Sequence, residues 1–299
     1  MSSGLKIAFL GFGEAAQAFT TGILQANPSI DVKAFDTKTD SRDAENKRAD
    51  YARCSVTGAR TSLAACENTD IIFSLVTADQ AKVAAAQLAQ EGLKGQLFLD
   101  CNSCAPDTKR RSAKLIEAAG GRYVDVAVMT PVHPRLHKSP CLLAGPHADT
   151  ARDAMASLGM DVQVAGGDVG AASTRKMVRS IMIKGLEALT LECFLAARKA
   201  GIEDDITASL EASFPGFDWA RRAPYMMERA ITHGTRRAAE MEEVVQTLHD
   251  LGIAPHATAG TVVRQREVGA LGLDAAAIGA DQLGALADAV NAALATKSI

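Results

Sequence analysis

Hydrophobic and polar positions follow two rhythms along the first half of the chain and one along the second. Lys6-Ile7-Ala8-Phe9-Leu10 is a short apolar run that stops at a glycine turn, and the stretch from Glu14 to Ala26 has helical spacing. Asp31-Val32-Lys33-Ala34-Phe35-Asp36 is another short run, so the chain opens as strand, helix, strand. Further strands are predicted over 70–76, 96–100, 122–128 and 141–144, with alanine-rich helices over 79–90 and 107–119. Ile71-Ile72-Phe73 is apolar throughout, which suits a strand covered on both faces. Strands alternating with helices across short connections argue a parallel, doubly wound sheet with right-handed crossovers.

After Gly166-Gly167 the strand rhythm ends and the rest reads as helices. The stretch 171–200 carries apolar residues at Met177, Val178, Ile181, Met182, Leu186, Leu189 and Leu195 and stops before Gly201. At about 1.5 Å per residue it is long enough to link two domains. Pro215, Gly216 and Pro224 predict a loop, and 225–251, 257–268 and 281–296 predict further helices. A chain of 299 residues is about two domains long. The expected division is an α/β dinucleotide-binding domain over 1–165 and an all-helical substrate and oligomerisation domain over 166–299.

Composition narrows the choice of partners. Apolar residues make up 47% and charged residues 22%, the range of ordinary globular proteins. A formal charge of -3 gives no long-range attraction for phosphate backbones or anionic lipid, so neither nucleic acid nor membrane is an expected partner. No uncharged apolar run reaches the roughly 18 residues of a membrane span. The start Met1-Ser2-Ser3-Gly4-Leu5-Lys6 lacks the pattern of a signal peptide, so a cytoplasmic protein is expected. The six cysteines are scattered; Cys101 and Cys104 form a C-x-x-C pair without a second pair or a histidine couple, and no metal site is expected.

Gly11-Phe12-Gly13-Glu14-Ala15-Ala16 is G-x-G-x-x-A between a strand and a helix. The first glycine permits the turn, the second lets the backbone approach a pyrophosphate, and Ala16 lets helix and sheet pack closely, which is the Rossmann arrangement. Asp36 stands 25 positions beyond Gly11, where a carboxylate accepts ribose hydroxyls and repels a 2′-phosphate. That points to NAD ahead of NADP, although Lys38 and Arg42 nearby offset the repulsion or simply line a solvated loop.

Several ordered motifs then resemble the β-hydroxyacid dehydrogenase superfamily, which includes the 3-hydroxyisobutyrate and 6-phosphogluconate dehydrogenases. Asp100-Cys101-Asn102-Ser103-Cys104-Ala105-Pro106 resembles the family's D-x-S-T-x-x-P substrate loop, and Asp125-Val126-Ala127-Val128-Met129-Thr130-Pro131 its D-A-P-V-S-G-G segment. Gly170 and Lys176 match the first glycine and the lysine of G-x-G-x-x-x-K-x-x-N. The stretches 176–185 and 236–241 resemble a phosphogluconate-dehydrogenase-like branch with a carboxy-terminal domain of unknown function. The departures are Met129-Thr130-Pro131 for Ser-Gly-Gly, Ser180 for the asparagine and Ala172 for the second glycine; Pro131 has no amide hydrogen to offer a carboxylate.

The resemblance implies an NAD(P)-dependent dehydrogenase or reductase acting on a small hydroxy acid or polar carbonyl compound. Lys176 would exchange the hydroxyl proton, a role open to an amine whose pKa desolvation and nearby cations bring down from about 10.4. Ser103 and Asn102 would orient the substrate; Ser103 reads equally well as a helix cap. Val76 and Thr77 would line the nicotinamide side, with a cap again the plainer reading of Thr77. Met129, Thr130, His133, Ser180, Lys184 and Arg237 complete the candidate substrate contacts. Against this, Lys184 can pair with Glu187 and Arg237 with Glu240 as ordinary helix ion pairs. The resemblance also implies a homodimer, since long helices of such enzymes pack between subunits. A nucleotide sensor without turnover and an imine reductase are the other readings, and Lys176 argues against the sensor.

Overall fold

The computed structural model describes residues 4–297, so part of the opening hexapeptide read above for a leader lies outside the described residues. Two compact units divide the chain, Met1–Met177 and Val178–Ile299. In the first, the elements are β1 (Lys6–Leu10), α1 (Glu14–Ala26), β2 (Asp31–Phe35), α2 (Ala44–Arg53), β3 (Thr57–Gly58), α3 (Ser62–Cys66), β4 (Ile71–Ser74), α4 (Ala81–Glu91), β5 (Leu97–Asp100), α5 (Pro106–Ala118), β6 (Arg122–Val128), β7 (Cys141–Ala144), α6 (Ala148–Ser157) and β8 (Val162–Gly166), and then the start of α7 (Ala171–Ala200). They build one eight-stranded sheet in the order β3-β2-β1-β4-β5-β6-β7-β8.

Side-chain alternation explains the two layers of helix. Ile7 and Phe9 of β1 join Phe73, Leu99, Val126, Phe19 and Met155 in one core, while Ala8 and Leu10 join Ile72, Phe98, Leu88 and Ile116 in another. Residues of one strand thus face α1 and α6 on one side and α4 and α5 on the other, as a period of two requires. Phe9 stacks on Phe73 with ring centroids 5.1 Å apart, tying β1 to β4 where the strand order reverses.

The sheet is mostly but not wholly parallel. β7 runs antiparallel to β6, with Val128 paired to Cys141, because the 129–140 connection holds only a 3-10 turn and no crossover helix. β8, with no counterpart in the sequence reading, pairs parallel to β7 at the sheet edge; it is short and partly exposed, so it lacks the apolar run that marks the inner strands.

The second unit is helical among its described residues: the rest of α7, then α8 (Glu203–Ser213), α9 (Trp219–Asp250), α10 (His256–Gly269), α11 (Ala275–Ile278) and α12 (Leu283–Lys297). The expected loop at Pro224 is corrected, because Pro224 lies inside α9. Its missing N–H costs one hydrogen bond in the second turn. Trp219, Ala223, Met227, Ala230 and Ile231 bury a continuous helical face around it, which keeps the helix intact.

Candidate active site

The glycine turn leaves β1 under tight steric control. Gly11 has φ +81°, donates its N–H to the Phe35 carbonyl at 2.8 Å, and would bring a Cβ against the Leu75 carbonyl. Only glycine meets both demands. The Phe12 peptide is held from both sides, its N–H by Asp36 Oδ2 at 2.7 Å and its carbonyl by Lys47 Nζ at 2.7 Å. The Phe12 ring is buried against Tyr51.

In front of this turn there is room. A Cβ built on Gly13 meets nothing within 4 Å, and no side chain caps α1, whose first amides belong to Glu14, Ala15 and Ala16. Uncapped helix-start amides favour an anion. Asp36 follows β2 beside them; its Oδ1 accepts the Lys38 N–H at 2.9 Å, and each carboxylate oxygen retains acceptor capacity. The strand order reverses at β1, so these groups stand at the topological switch point where α/β sheets take their ligands. The residues present fit a dinucleotide.

Three residues of the next strands lie in register, Ser74 and Asp100 at the carboxyl ends of β4 and β5 and Asp125 in the middle of β6. Asn102 stitches their loops together. Its amide donates to Ser74 Oγ at 3.0 Å and Asp100 Oδ1 at 2.7 Å, and its oxygen accepts the Val76 N–H at 2.7 Å. Both amide hydrogens and the carbonyl of this candidate substrate contact are therefore engaged within the protein. Ser103 is different: Ala105, not Ser103, is the N-cap of α5, and the half-buried Ser103 hydroxyl has no hydrogen bond among the described residues.

Beneath these loops lies a charge cluster that the sequence reading did not find. Lys109 is fully buried, with Nζ 2.9 Å from Asp100 Oδ1 and 3.6 Å from Asp125 Oδ1. Tyr123 donates to Asp100 Oδ2 at 2.6 Å. Burial works against the Lys109 charge, but the two carboxylates outweigh it and hold the ammonium above its ordinary pKa. The signal was present in α5: Lys109 shares the buried face with Pro106, Ser112, Ala113 and Ile116, a lysine on the apolar side of an amphipathic helix.

Asp125 also caps α7 from the sheet. Its Oδ2 accepts the Gly170 N–H at 3.1 Å, the Ser173 N–H at 3.0 Å and the Ser173 hydroxyl at 3.0 Å. Lys176 follows Ser173 by three residues, on the same side of the helix. Its ammonium field reaches Cys101 and Cys141, opposing the burial that pushes the Cys141 thiol up to about 12 and the Cys101 thiol well above its ordinary range. The candidate base therefore stands over the carboxyl ends of β5 and β6, and both thiols stay protonated. All six cysteines are free.

The other candidates divide. Met129 and Thr130 follow β6, with the Met129 N–H on the Pro140 carbonyl at 2.9 Å and the Thr130 hydroxyl buried without a hydrogen-bond partner among the described residues. Thr77 is exposed and its hydroxyl bonds Asp79, which with Gln80 holds that carboxyl below its usual range. His133 is exposed, whereas His137 of the same loop is buried against Gly22 and Gly159. In the second unit, Lys184 Nζ bonds Glu240 at 2.8 Å and lies 3.3 Å from Ser180 Oγ, while Arg237 pairs with Glu187. The helix pairs considered from sequence are thus exchanged: Lys184 takes Glu240 and Arg237 takes Glu187, across α7 and α9 rather than along one helix.

Comparison with known proteins agrees with this layout. Residues 6–103 match the family described as NADP oxidoreductase coenzyme F420-dependent, and residues 197–268 match a domain of unknown function, DUF1932. A conserved hypothetical protein from Sinorhizobium meliloti is 34% identical over 96% of this chain and 97% of its own, with a TM-score of 0.70. A conserved protein of unknown function, described as structurally similar to 3-hydroxyacid dehydrogenases, is 26% identical over 88% of this chain and 96% of its own, with a TM-score of 0.67. The 3-hydroxyisobutyrate dehydrogenase of Pseudomonas aeruginosa is 25% identical over 72% of this chain and 71% of its own. With the glycine turn, the sheet order and the helical second unit, these matches place the chain in the β-hydroxyacid dehydrogenase superfamily of oxidoreductases.

Proposed function

We propose that this protein moves a hydride between a nicotinamide dinucleotide and a small hydroxy acid or polar carbonyl compound, with Lys176 as the proton-exchanging group. The observation that carries the reading is the Asp125 cap on α7, which fixes the turn bearing Lys176 over the strand ends. Gly11 to Ala16 and Asp36 would hold the dinucleotide, with Val76 and Thr77 beside its nicotinamide. When bound, that group supplies or takes up the hydride. Lys176 Nζ accepts the hydroxyl proton in oxidation and returns it in reduction. The Ser103 hydroxyl, without a hydrogen bond among the described residues, orients the substrate oxygen, and Asn102 acts as a positioning residue for both loops. Met129 and Thr130 take the place of a glycine-rich carboxylate grip, with His133 at the rim. Ser180, Lys184 and Arg237, also candidate substrate contacts, lie in the helical unit.

The amino-terminal family's description names NADP and coenzyme F420, but the carboxylate of Asp36 favours NAD, since a 2′-phosphate beside it would be repelled. A homodimer is part of the proposal: Val178, Met182 and Leu189 share one face of α7 and are 47%, 70% and 69% exposed, an apolar stripe that a second copy would cover.

The test mixes the protein with NAD or NADP and a panel of short hydroxy acids, oxo acids with and without amines, and follows absorbance of the reduced nicotinamide. Turnover that drops by about 10²-fold or more in Lys176→Ala, with dinucleotide affinity retained, is expected. Undiminished turnover in that variant defeats the mechanism. Tight dinucleotide binding without turnover across the panel favours a sensor, and reduction only when amine is present favours an imine reductase.

A further inference from the structure

Burying two carboxylates and an ammonium is costly unless their partners are in place. Here hydrogen bonds run from the loop after β4 to Lys109, and an ion pair at 3.6 Å, in which Asp125 Oδ1 makes no hydrogen bond among the described residues, carries the line on to Asp125. The Val76 N–H is held by Asn102, Asn102 by Asp100, Asp100 by Lys109 and Tyr123, and Lys109 faces Asp125, which caps α7. One end of the line is the loop after β4, proposed above to border the nicotinamide. The other end is the helical turn that leads to Lys176. Lys109 is the only cation named in that line and occupies its middle, and its ammonium also acts on the Cys101 thiol, as the Lys176 ammonium does.

We infer that Lys109 is a positioning residue of the reaction: its ammonium sets the α7 start, and with it Lys176, in register with the loop that borders the nicotinamide. Removing that charge leaves Asp100 and Asp125 facing each other without a counter-ion, and their repulsion moves them apart. That movement weakens the hold on the Gly170 and Ser173 amides and shifts the amine against its target. A displacement on the scale of 1 Å is enough to cost about 10²-fold in rate. The inference rests on the proposed reaction for the meaning of the alignment, but the wiring has a readout that needs no substrate.

The experiment compares wild type with Lys109→Met in full-length protein. Trace acylation with acetic anhydride across the lysine titration range, read at the Lys176 peptide by mass spectrometry, gives the titration midpoint of that amine. Loss of a nearby cation is expected to raise it by about half a pH unit or more, with exposed Lys114 of the same helix unchanged. Kinetics with NAD and 3-hydroxypropanoate are expected to show kcat down by about 10²-fold with KM within about threefold. A Lys176 midpoint that stays or falls, in a folded variant, overturns the inference. If Lys109→Met does not fold, Asp125→Asn severs the next link with its shape retained; it is expected to lower the Lys176 midpoint, and an unmoved midpoint again overturns it. Wild type active on 3-hydroxypropanoate and matched by Lys109→Met means that the positioning role fails while the dehydrogenase reading stands. Wild type inactive across the hydroxy-acid panel, with midpoints moving as stated, means the reverse.

Discussion

Asp36 Oδ2 accepts the Phe12 N–H at 2.7 Å across 24 residues of sequence, so the acid following β2 holds the glycine turn in shape as well as offering itself to a ribose. One side chain thus links cofactor preference to the rigidity of the turn. Asp36→Ser removes the charge and weakens that bond. NAD affinity is expected to fall about tenfold, with NADP affinity falling less, and stability to drop by about 1–3 kcal/mol. Calorimetric titration with both dinucleotides and thermal melts of the free protein check this; an unchanged preference for NAD would remove Asp36 from cofactor selection.

Lys184 and Glu240 form an ion pair whose side chains are 10% and 12% exposed. Lys184→Met removes one counter-ion of a mostly buried carboxylate, which retains its pair with Arg236 at 2.9 Å. The cost is expected to be about 2–3 kcal/mol, and the double change Lys184→Met with Glu240→Gln should recover most of it. Urea unfolding of the four proteins in the cycle measures the coupling.

Gly234 of α9 and Gly269 of α10 meet backbone to backbone. A Cβ on Gly234 would lie 2.8 Å from the Gly269 Cα, a contact no rotamer can relieve. Gly234→Ala is expected to cost about 3 kcal/mol and to lower Tm by roughly 5–10 °C. A surface control such as Gly260→Ala, whose Cβ meets nothing within 4 Å, should change Tm little.

His137 is 5% exposed and neither ring nitrogen has a hydrogen-bond partner among the described residues. Burial, with help from Lys138, holds its pKa below the ordinary value. The unfolded chain therefore takes up the proton first, near pH 6.5, and the native state must resist it. Stability is expected to be unaffected above about pH 7 and to decline as pH falls below about 6.5. His137→Leu, of similar volume, should flatten that decline in urea midpoints measured across the same range. A decline equal in both proteins would place the acid sensitivity elsewhere.

The strands and helices were readable wherever burial on both faces, or on one helical stripe, stamped its period on the chain. β1, α1, β6, β7 and α7 have the bounds predicted. β8 was not readable because half-exposed edge strands carry mixed residues, and Pro224 misled because a local turn signal was overridden by the face that Trp219, Met227 and Ile231 bury. In the site, the glycine turn was legible because its constraints are local. Lys109 carried a local sign, its place on the apolar face of α5, but its partners arrive from β5 and β6 and leave none; nor does the Asp125 cap on α7, which spans 48 residues to Ser173.

The reversal at β7 has a bearing on motion. β7, α6 and β8 form a strand-helix-strand module, joined to the larger sheet by one four-residue antiparallel seam, Asp125 to Val128 against Ala144 to Cys141, and to its core by Ala151 and Met155 of α6. Opening this module as a foldon requires the seam and that apolar contact to part together. Cys141, at the rim of that seam, would then report its breathing, and slow modification of this otherwise protected thiol would time how often the floor beneath Lys176 comes loose.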